Sequence, residues 1–333
     1  MDEARRVTVI GDGGWGTAVA LVLCDAGREV TLWGYDPGYL ERMRRTRINE
    51  KFLPGVRLPD TLRLEDGFAE AVAGADLVVS AVPTIHLRAT WKGRAAALGA
   101  DTPVVSLTKG IEHDTLLRPS EILAQMLGDR PIAVLSGPSH AEEVARHCPT
   151  TVVASSRDAA LARKVQAAMI TPYFRVYTSD DPVGVELGGA LKNVIALAAG
   201  AVIGLELGDN AMAALMTRGL AEMTRLGVSL GARERTFAGL SGIGDLIVTC
   251  TSRHGRNRRV GIELGRGRRL GEILDGMSQV AEGVNTARSA RALAARSGVE
   301  LPICEQVFRV LYEDADPRQA VIELMTREPK PEH

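Results

Sequence analysis

Cysteine is scarce in this chain of 333 residues: Cys24, Cys148, Cys250 and Cys304 stand far apart, forming neither a C-x-x-C pair nor a metal-ligand spacing. A disulfide framework and a metal site are therefore not expected, and the four residues read as reduced thiols of a cytosolic protein. Neither sign of charge is in excess. With 40 basic against 41 acidic residues the formal net charge is −1, so no global field would draw nucleic acid or an anionic membrane, and any anion site must be local. The opening Met1-Asp2-Glu3-Ala4-Arg5-Arg6 lacks the long apolar stretch and small-residue cleavage site of a signal peptide. The expectation is a chain that begins here and stays inside the cell.

Long apolar runs are nearly absent as well. Leu187–Leu205 alone approaches membrane-spanning length, and Lys192 and Asn193 interrupt it. A lysine in hydrocarbon would cost about 2.5–3.5 kcal/mol, and the small residues Gly188, Gly189, Ala190, Ala196, Ala198, Ala199, Gly200 and Ala201 suit close helix packing. The segment is expected to be a buried helix rather than a membrane insertion, which leaves its lone lysine in need of a reason. What the chain does contain, 45% apolar and 24% charged residues, is enough for two domains that each bury a core.

From residue 7 to about 180, short β-branched runs alternate with helical patterns, the signature of βαβ units and a parallel sheet. The strands expected are Val7–Ile10, Val30–Trp33, Leu77–Val82, Val104–Thr108, Ala133–Ser136, Thr151–Ala154 and Arg175–Tyr177. Asp36-Pro37 reads as a helix cap followed by proline at the first helical position, and Pro83-Thr84 closes a strand and offers a cap to the segment Ile85–Leu98. After about residue 185 the strand signal gives way to apolar-periodic segments over 185–204, 209–230, 260–275, 285–297, 302–313 and 317–327. This predicts an α/β protein with a doubly wound, Rossmann-type sheet over 1–185 and an all-helical domain over 186–333. Neither an internal repeat nor a low-complexity linker separates them, so a tight interface is expected rather than a tether.

Val7-Thr8-Val9-Ile10 leads into Gly11-Asp12-Gly13-Gly14-Trp15-Gly16 and then a helical run, placing G-x-G-x-x-G between a strand and a helix. Gly11 permits the tight turn, Gly13 lets the backbone approach a pyrophosphate, and Gly16 lets the helix pack on the strand, with the helix N-terminus facing the phosphates. A dinucleotide is the expected cofactor. The second strand ends at Tyr35 and Asp36, where an acid binds a ribose 2′-hydroxyl and repels a 2′-phosphate. Against that, Asp36 precedes Pro37 and is available as a helix cap, while Arg42, Arg44, Arg45 and Arg47 could supply a 2′-phosphate site. The expectation is therefore NAD or NADP, with the preference open.

Two lysines stand in unusual contexts, Lys109 in Ser106-Leu107-Thr108-Lys109-Gly110 at the end of a predicted strand, and Lys192 in the apolar helix. Hydride transfer to a carbonyl leaves charge on oxygen, which needs a proton donor and a nearby positive charge. Lysine can serve as both. A further constellation runs from Ser241-Gly242-Ile243-Gly244-Asp245 to Gly255-Arg256-Asn257-Arg258-Arg259, with seven arginines between 253 and 269. Without interleaved aromatics and on a near-neutral chain, it does not suit nucleic acid. Arginine with asparagine after a glycine-rich turn suits a single phosphate group, which a guanidinium binds bidentately.

Taken together, GDGGWGTA near the start, SLTKG at 106–110, SGPS at 136–139, LGGALKNVIALAAG at 187–200, TRGLAEMTRLG at 217–227, SGIGDLIVTCT at 241–251, GRNRR at 255–259 and QVAEGVNT at 279–286 resemble the soluble, nicotinamide-dependent glycerol-3-phosphate dehydrogenases, in particular their bacterial branch. The resemblance spans nearly the whole chain in the family's order. It implies reversible reduction of dihydroxyacetone phosphate to sn-glycerol 3-phosphate for phospholipid synthesis, by a cytoplasmic homodimer. It further implies Lys192 as general acid and base, Lys109 as its cationic neighbour touching substrate and nicotinamide, and Asp245 as the residue orienting Lys192. Gly137, Ser139, Asn193, Gly255, Arg256 and Asn257 would contact substrate, the last two through its phosphate. Gly14, Trp15, Tyr35, Ala141, Arg256, Val280 and Glu282 would join Gly11, Gly13, Gly16 and Lys109 around the cofactor. The chain departs from the family at Gly14 and Gly255, where bacterial members often carry serine, and at Tyr35, where they carry arginine or histidine. The competing readings are a related dehydrogenase acting on a β-hydroxy acid or ketopantoate-like substrate, which would not need the Arg256-Asn257 pair, and a dinucleotide sensor without catalysis, in which Lys109, Lys192 and Asp245 would have eroded.

Overall fold

The structure, a computed structural model, describes residues 4–277, 281–329 and 331–332. The β-branched runs form strands β1 (Arg6–Ile10), β2 (Glu29–Trp33), β3 (Ile48–Asn49), β4 (Leu53–Arg57), β5 (Arg63–Glu65), β6 (Leu77–Ser80), β7 (Val104–Ser106), β8 (Ile132–Ser136), β9 (Thr150–Ser155) and β10 (Phe174–Ser179). Eight of them make one sheet in the order β10-β9-β8-β7-β6-β1-β2-β5, and β3 pairs antiparallel with β4. In the central strands the side chains alternate between two cores. Val7, Val9, Leu77 and Val79 face one cluster, while Ile10 and Val78 face the other. Burial on both faces is why these strands read as unbroken apolar runs rather than alternating ones.

β1 lies between β2 and β6, both parallel to it, with Val7 opposite Val30 on one side and Leu77 on the other. This is the point at which the strand order reverses, and ligands of open α/β sheets bind outside the strands' carboxyl ends at that point. The sheet is not wholly parallel: β9 runs antiparallel to β8. The connection from Ser136 to Thr150 contains only a four-residue helix, Ala141–Val144. A parallel return needs a crossover long enough to span the strand, usually a full helix, and this one is too short. β3, β4 and β5 were not expected from the sequence. Two are three residues or shorter, and β4 carries Pro54 and Gly55 inside it, which mask a strand pattern.

The helix Pro37–Thr46 starts as expected, with Asp36 Oδ1 accepting the Tyr39 N–H at 3.0 Å and proline at the first helical position. The helix Thr84–Trp91 has Pro83 at its cap position and ends earlier than expected, followed by a single 3-10 turn at Ala95–Ala97.

The chain divides into two units. One comprises the chain up to Lys109 together with Leu117–Glu186; the other comprises Gly110–Leu116 and the chain from Leu187 onward. In the second unit the described residues form helices and turns, including Gly208–Ser229, Asp245–Thr251, Arg256–Gly265, Leu270–Asp275, Glu282–Ser297, Pro302–Tyr312 and Pro317–Met325. Gly267, at φ +86°, breaks the expected 260–275 helix in two. The helix Pro182–Gly204 is long and apolar enough to cross a membrane, and 78% of its most apolar stretch is buried inside the protein.

Glycine governs how that long helix packs. A Cβ at Gly200 would stand 2.1 Å from the Arg258 carbonyl oxygen, and one at Gly261 would stand 2.0 Å from the Leu197 carbonyl oxygen. Gly204 and Gly265 approach each other in the same way one turn further along. Two G-x-x-x-G faces thus meet backbone to backbone, as the small residues of the apolar run imply. Elsewhere in this unit, the buried Glu222 carboxylate accepts the Ile303 and Cys304 N–H groups at 2.7 and 3.2 Å, satisfying the start of Pro302–Tyr312. No side chain local to that helix provides such a cap.

Candidate active site

The glycine-rich turn leaves β1 at Gly11, whose φ of +113° is open to glycine and strained for other residues. A Cβ at Gly16 would lie 2.0 Å from the Gly11 carbonyl oxygen and 3.0 Å from the Ala81 Cβ, so only glycine lets the helix Gly14–Asp25 start this close to the strand. Gly13 differs: nothing lies within 4 Å of its absent Cβ. That helix start has no side-chain cap, and the Trp15 indole N–H beside it is buried without a partner. Open space above uncapped N–H groups is what a dinucleotide pyrophosphate requires, so the residues fit the cofactor that the motif implies. Trp15 itself packs toward Phe174, ring centroids 6.5 Å apart. At Gly14 a Cβ would stand 2.6 Å from the Phe52 carbonyl oxygen, so a serine would not fit here without displacing the β3–β4 turn.

Asn49, not anticipated from the sequence, holds this turn in place. Fully buried, it donates from Nδ2 to the Asp12 carbonyl at 2.7 Å and to Thr17 Oγ1 at 2.8 Å, while its Oδ1 accepts from the Tyr39 hydroxyl at 2.6 Å. A lone asparagine in an arginine-rich stretch gives no local signal of that role. Tyr35 is 82% exposed.

On the same unit, Lys109 follows β7 by three residues and is half-buried. Its Nζ donates to the Gly137 carbonyl at 2.9 Å and lies 3.4 Å from Ser139 Oγ, and Ser139 Oγ donates to the same carbonyl at 2.8 Å. Gly137 turns at φ +133°, and a Cβ there would stand 3.0 Å from the Val152 α-carbon of β9, so the loop is closed by glycine at this point. Lys109, Gly137 and Ser139 are therefore one cluster at the carboxyl ends of β7 and β8. Ala141 opens the short helix that packs beside Gly14, 3.7 Å from where a Cβ there would stand.

On the second unit Lys192 is 6% exposed and Asp245 1%. Lys192 Nζ donates to Asp245 Oδ1 and, at 2.8 Å, to Thr249 Oγ1, whose hydroxyl donates in turn to the Asp245 carbonyl at 2.6 Å. Asp245 is the first residue of Asp245–Thr251, which continues without a break from a π-helical turn over Leu240–Gly244. Thr249 is the residue the sequence reading missed, although one helical turn after Asp245 is where a same-face partner should be sought. Cys250, next to it, is not a rival nucleophile: burial pushes its thiol up to about 12. None of the four cysteines forms a disulfide.

Asn193 and Asn257 are both 7% exposed. Gly283 joins them: its N–H donates to Asn257 Oδ1 at 3.0 Å, and a Cβ there would stand 2.5 Å from the Asn193 carbonyl oxygen. With Oδ1 occupied, the amide nitrogen of Asn257 is left to donate to an anion. Gly255 is buried at the cap position of Arg256–Gly265, and Arg256 begins the helix with its side chain exposed. Glu282 is the first residue of Glu282–Ser297. Val280 lies outside the described residues. Of the arginine run, Arg266 and Arg268 both pair with Glu263 at 3.0 Å and serve that surface rather than the site.

A glycine-rich turn at a sheet's switch point and, on a helical unit, a buried lysine held by a carboxylate define a class, the nicotinamide-dinucleotide-dependent dehydrogenases with a helical second domain. More narrowly, the chain belongs to the NAD-dependent glycerol-3-phosphate dehydrogenase family. The model of that family's N-terminus matches residues 6–162, and that of its C-terminus residues 181–322. The chain is 52% identical over 332 residues, 99% of either chain, to a glycerol-3-phosphate dehydrogenase [NAD(P)+] of Geobacter sulfurreducens. It superposes on the crystal structure of glycerol-3-phosphate dehydrogenase from Coxiella burnetii with a TM-score of 0.93 at 38% identity, covering 97% of this chain and 99% of that one. A ketopantoate reductase of Ralstonia eutropha shares the fold alone, with a TM-score of 0.58 at 17% identity over 95% of this chain and 99% of that one.

Proposed function

We propose that this chain reversibly reduces dihydroxyacetone phosphate to sn-glycerol 3-phosphate with Lys192 as general acid and base. The observation that carries this reading is the Lys192 ammonium, withdrawn from solvent and aimed by Asp245 and Thr249. The nicotinamide, when bound on the glycine-rich turn, supplies or takes up the hydride. In the reductive direction Lys192 Nζ gives a proton to the oxygen on which charge develops, and in the oxidative direction it takes the hydroxyl proton. Asp245 keeps the ammonium in place and accepts a substrate hydroxyl. Lys109 adds a second positive charge against the same developing oxyanion. Arg256 and the free amide edge of Asn257 grip the phosphate, with Gly137, Ser139, Asn193 and Gly255 completing the substrate contacts. Gly11, Gly13, Gly14, Trp15, Gly16, Tyr35, Ala141, Val280 and Glu282 line the dinucleotide, with Lys109 and Arg256 reaching it from the substrate side.

The two functional domains of this reading are 1–185 and 186–333. It also makes the protein a cytoplasmic homodimer that does not insert into the membrane and feeds phospholipid synthesis. The near-neutral charge and the absence of paired cysteines are consistent with that setting. The ketopantoate-type alternative would leave the buried Asn257 amide and Arg256 without a phosphate to hold.

Replacing Lys192 by alanine tests the assignment. The expected result is loss of most of kcat with the dissociation constant for the reduced cofactor unchanged. An unaltered kcat would refute it.

A further inference from the structure

The name of the Geobacter sulfurreducens relative, with its [NAD(P)+], covers both cofactors, and the carboxyl end of β2 bears directly on which of the two this chain takes. Four arginines of the following segment could in principle greet a 2′-phosphate, but two are committed elsewhere. Arg44 donates to Asp66 at 2.6 Å and to the Leu64 carbonyl at 3.1 Å. Arg47 donates to the Leu62 carbonyl at 2.9 Å and to that of Pro59. A fifth cation, Arg94, lies over the Trp33 and Phe68 rings, its Cζ 4.9 and 4.4 Å from their centroids, with its Nη1 buried. Of the four, only Arg42 and Arg45 are exposed, and they stand about one and a half to two and a half turns beyond Asp36 along the helix Pro37–Thr46.

Negative charge, by contrast, gathers at the strand end itself. Asp36 uses one carboxylate oxygen to accept the Tyr39 N–H at 3.0 Å. A carboxylate has about four acceptor sites, so capping leaves Asp36 both its charge and acceptors for a ribose diol. Asp12 lies directly across Gly34, its Oδ2 2.8 Å from where a Cβ on that glycine would stand. The two acids are close enough to feel each other: Asp12 is pushed above its ordinary value first by burial, with the Asp36 charge adding to the effect and Lys51 opposing it. Lys51 itself is drawn to the Phe52 ring at 4.9 Å.

We infer that Asp36, backed by Asp12, makes this chain selective for the unphosphorylated cofactor, as a specificity-determining residue at the end of β2. The inference rests on the glycine-rich turn holding a dinucleotide. A 2′-phosphate brought to this position meets two carboxylates, while Arg44, Arg47 and Arg94 are turned to other partners. Tyr35, exposed beside Asp36, offers a ring face but no charge.

Calorimetric titration of the full-length protein with NADH and with NADPH, in the absence of substrate, tests this. NADH is expected to bind at least about tenfold more tightly, which at an effective dielectric of about 20 is the repulsion of a single like charge roughly 12 Å away. The margin should narrow as salt is raised. Asp36→Asn keeps a side-chain oxygen for the Tyr39 N–H, so the helix retains its cap while the charge goes; it should erase most of the margin by tightening NADPH. Arg42→Ala and Arg45→Ala should leave the ratio of the two affinities unchanged. Equal affinities in the unaltered protein, an unmoved ratio in Asp36→Asn, or a loss confined to NADPH in Arg42→Ala would each overturn the inference. If neither dinucleotide bound, the dinucleotide reading of the turn would itself fail, which is a different result from equal affinities.

Discussion

Replacing Gly261 by alanine should cost both stability and activity, because the two helices that carry Lys192 and Asn257 meet through their backbones. The added Cβ would lie 2.0 Å from the Leu197 carbonyl oxygen and 2.9 Å from the Gly200 α-carbon. An ordinary contact of this kind is about 3.4 Å, and no flexible side chain is present to yield, so the helices must separate by on the order of 1 Å. Overpacking of that kind costs roughly 1–3 kcal/mol, and alanine's better helix propensity returns only about 1 kcal/mol. Gly200, Gly204 and Gly265 share the seam, so the separation spreads along it and the balance falls on the destabilising side. A displacement of about 1 Å between catalytic and phosphate-holding groups can cost on the order of a hundredfold in rate. The assay is a calorimetric melting midpoint with kcat measured on the same preparation. Gly271→Ala is the control: nothing lies within 4 Å of its absent Cβ, so the same substitution should be neutral or stabilising, by up to about 1 kcal/mol. A Gly261→Ala protein as stable and as active as the Gly271→Ala control would refute the reasoning.

Two further outcomes follow from the helical unit. Burial raises Glu222 from 4.5 to about 7, so the folded protein keeps a proton there that the unfolded chain releases between those values. Stability from this group is therefore fully present below pH 4.5 and lost as pH climbs through 7, by about 3 kcal/mol in all; Glu222→Gln should flatten that part of a melting-temperature profile, and an unchanged profile would contradict the assignment. Arg256→Ala should raise KM for dihydroxyacetone phosphate by roughly 10- to 100-fold, the worth of a charged hydrogen bond, with a smaller change in kcat; an unmoved KM would place the phosphate elsewhere.

Legibility in the sequence followed the range of the interactions. The glycine-rich turn could be read because strand, Gly11, Gly13, Gly16 and helix are consecutive, and each glycine answers a local demand. The lysine in the apolar run was conspicuous because a buried charge is costly anywhere. Its partner Thr249 was not, since a threonine in a helix is unremarkable until Lys192 arrives from 57 residues away. Asn49 and Gly283 were hidden for the same reason: each acts on groups 26 or more residues distant. The reversal of β9 was also illegible, because a β-branched run looks the same in either direction and only the connection's short helix decides. At the end of β2 the sequence showed acids and arginines side by side; only the structure separates the arginines already engaged by Asp66 and backbone carbonyls from those that remain exposed.

The account's central claim is that the chemistry of Lys192 is coupled to a phosphate grip at Arg256 and Asn257. Initial rates on dihydroxyacetone phosphate and on dihydroxyacetone, at saturating NADH, test it most directly. The phosphorylated ketone should be reduced with a kcat/KM at least about a thousandfold higher, as two charge-assisted contacts would give. Equal kcat/KM values for the two ketones would contradict it.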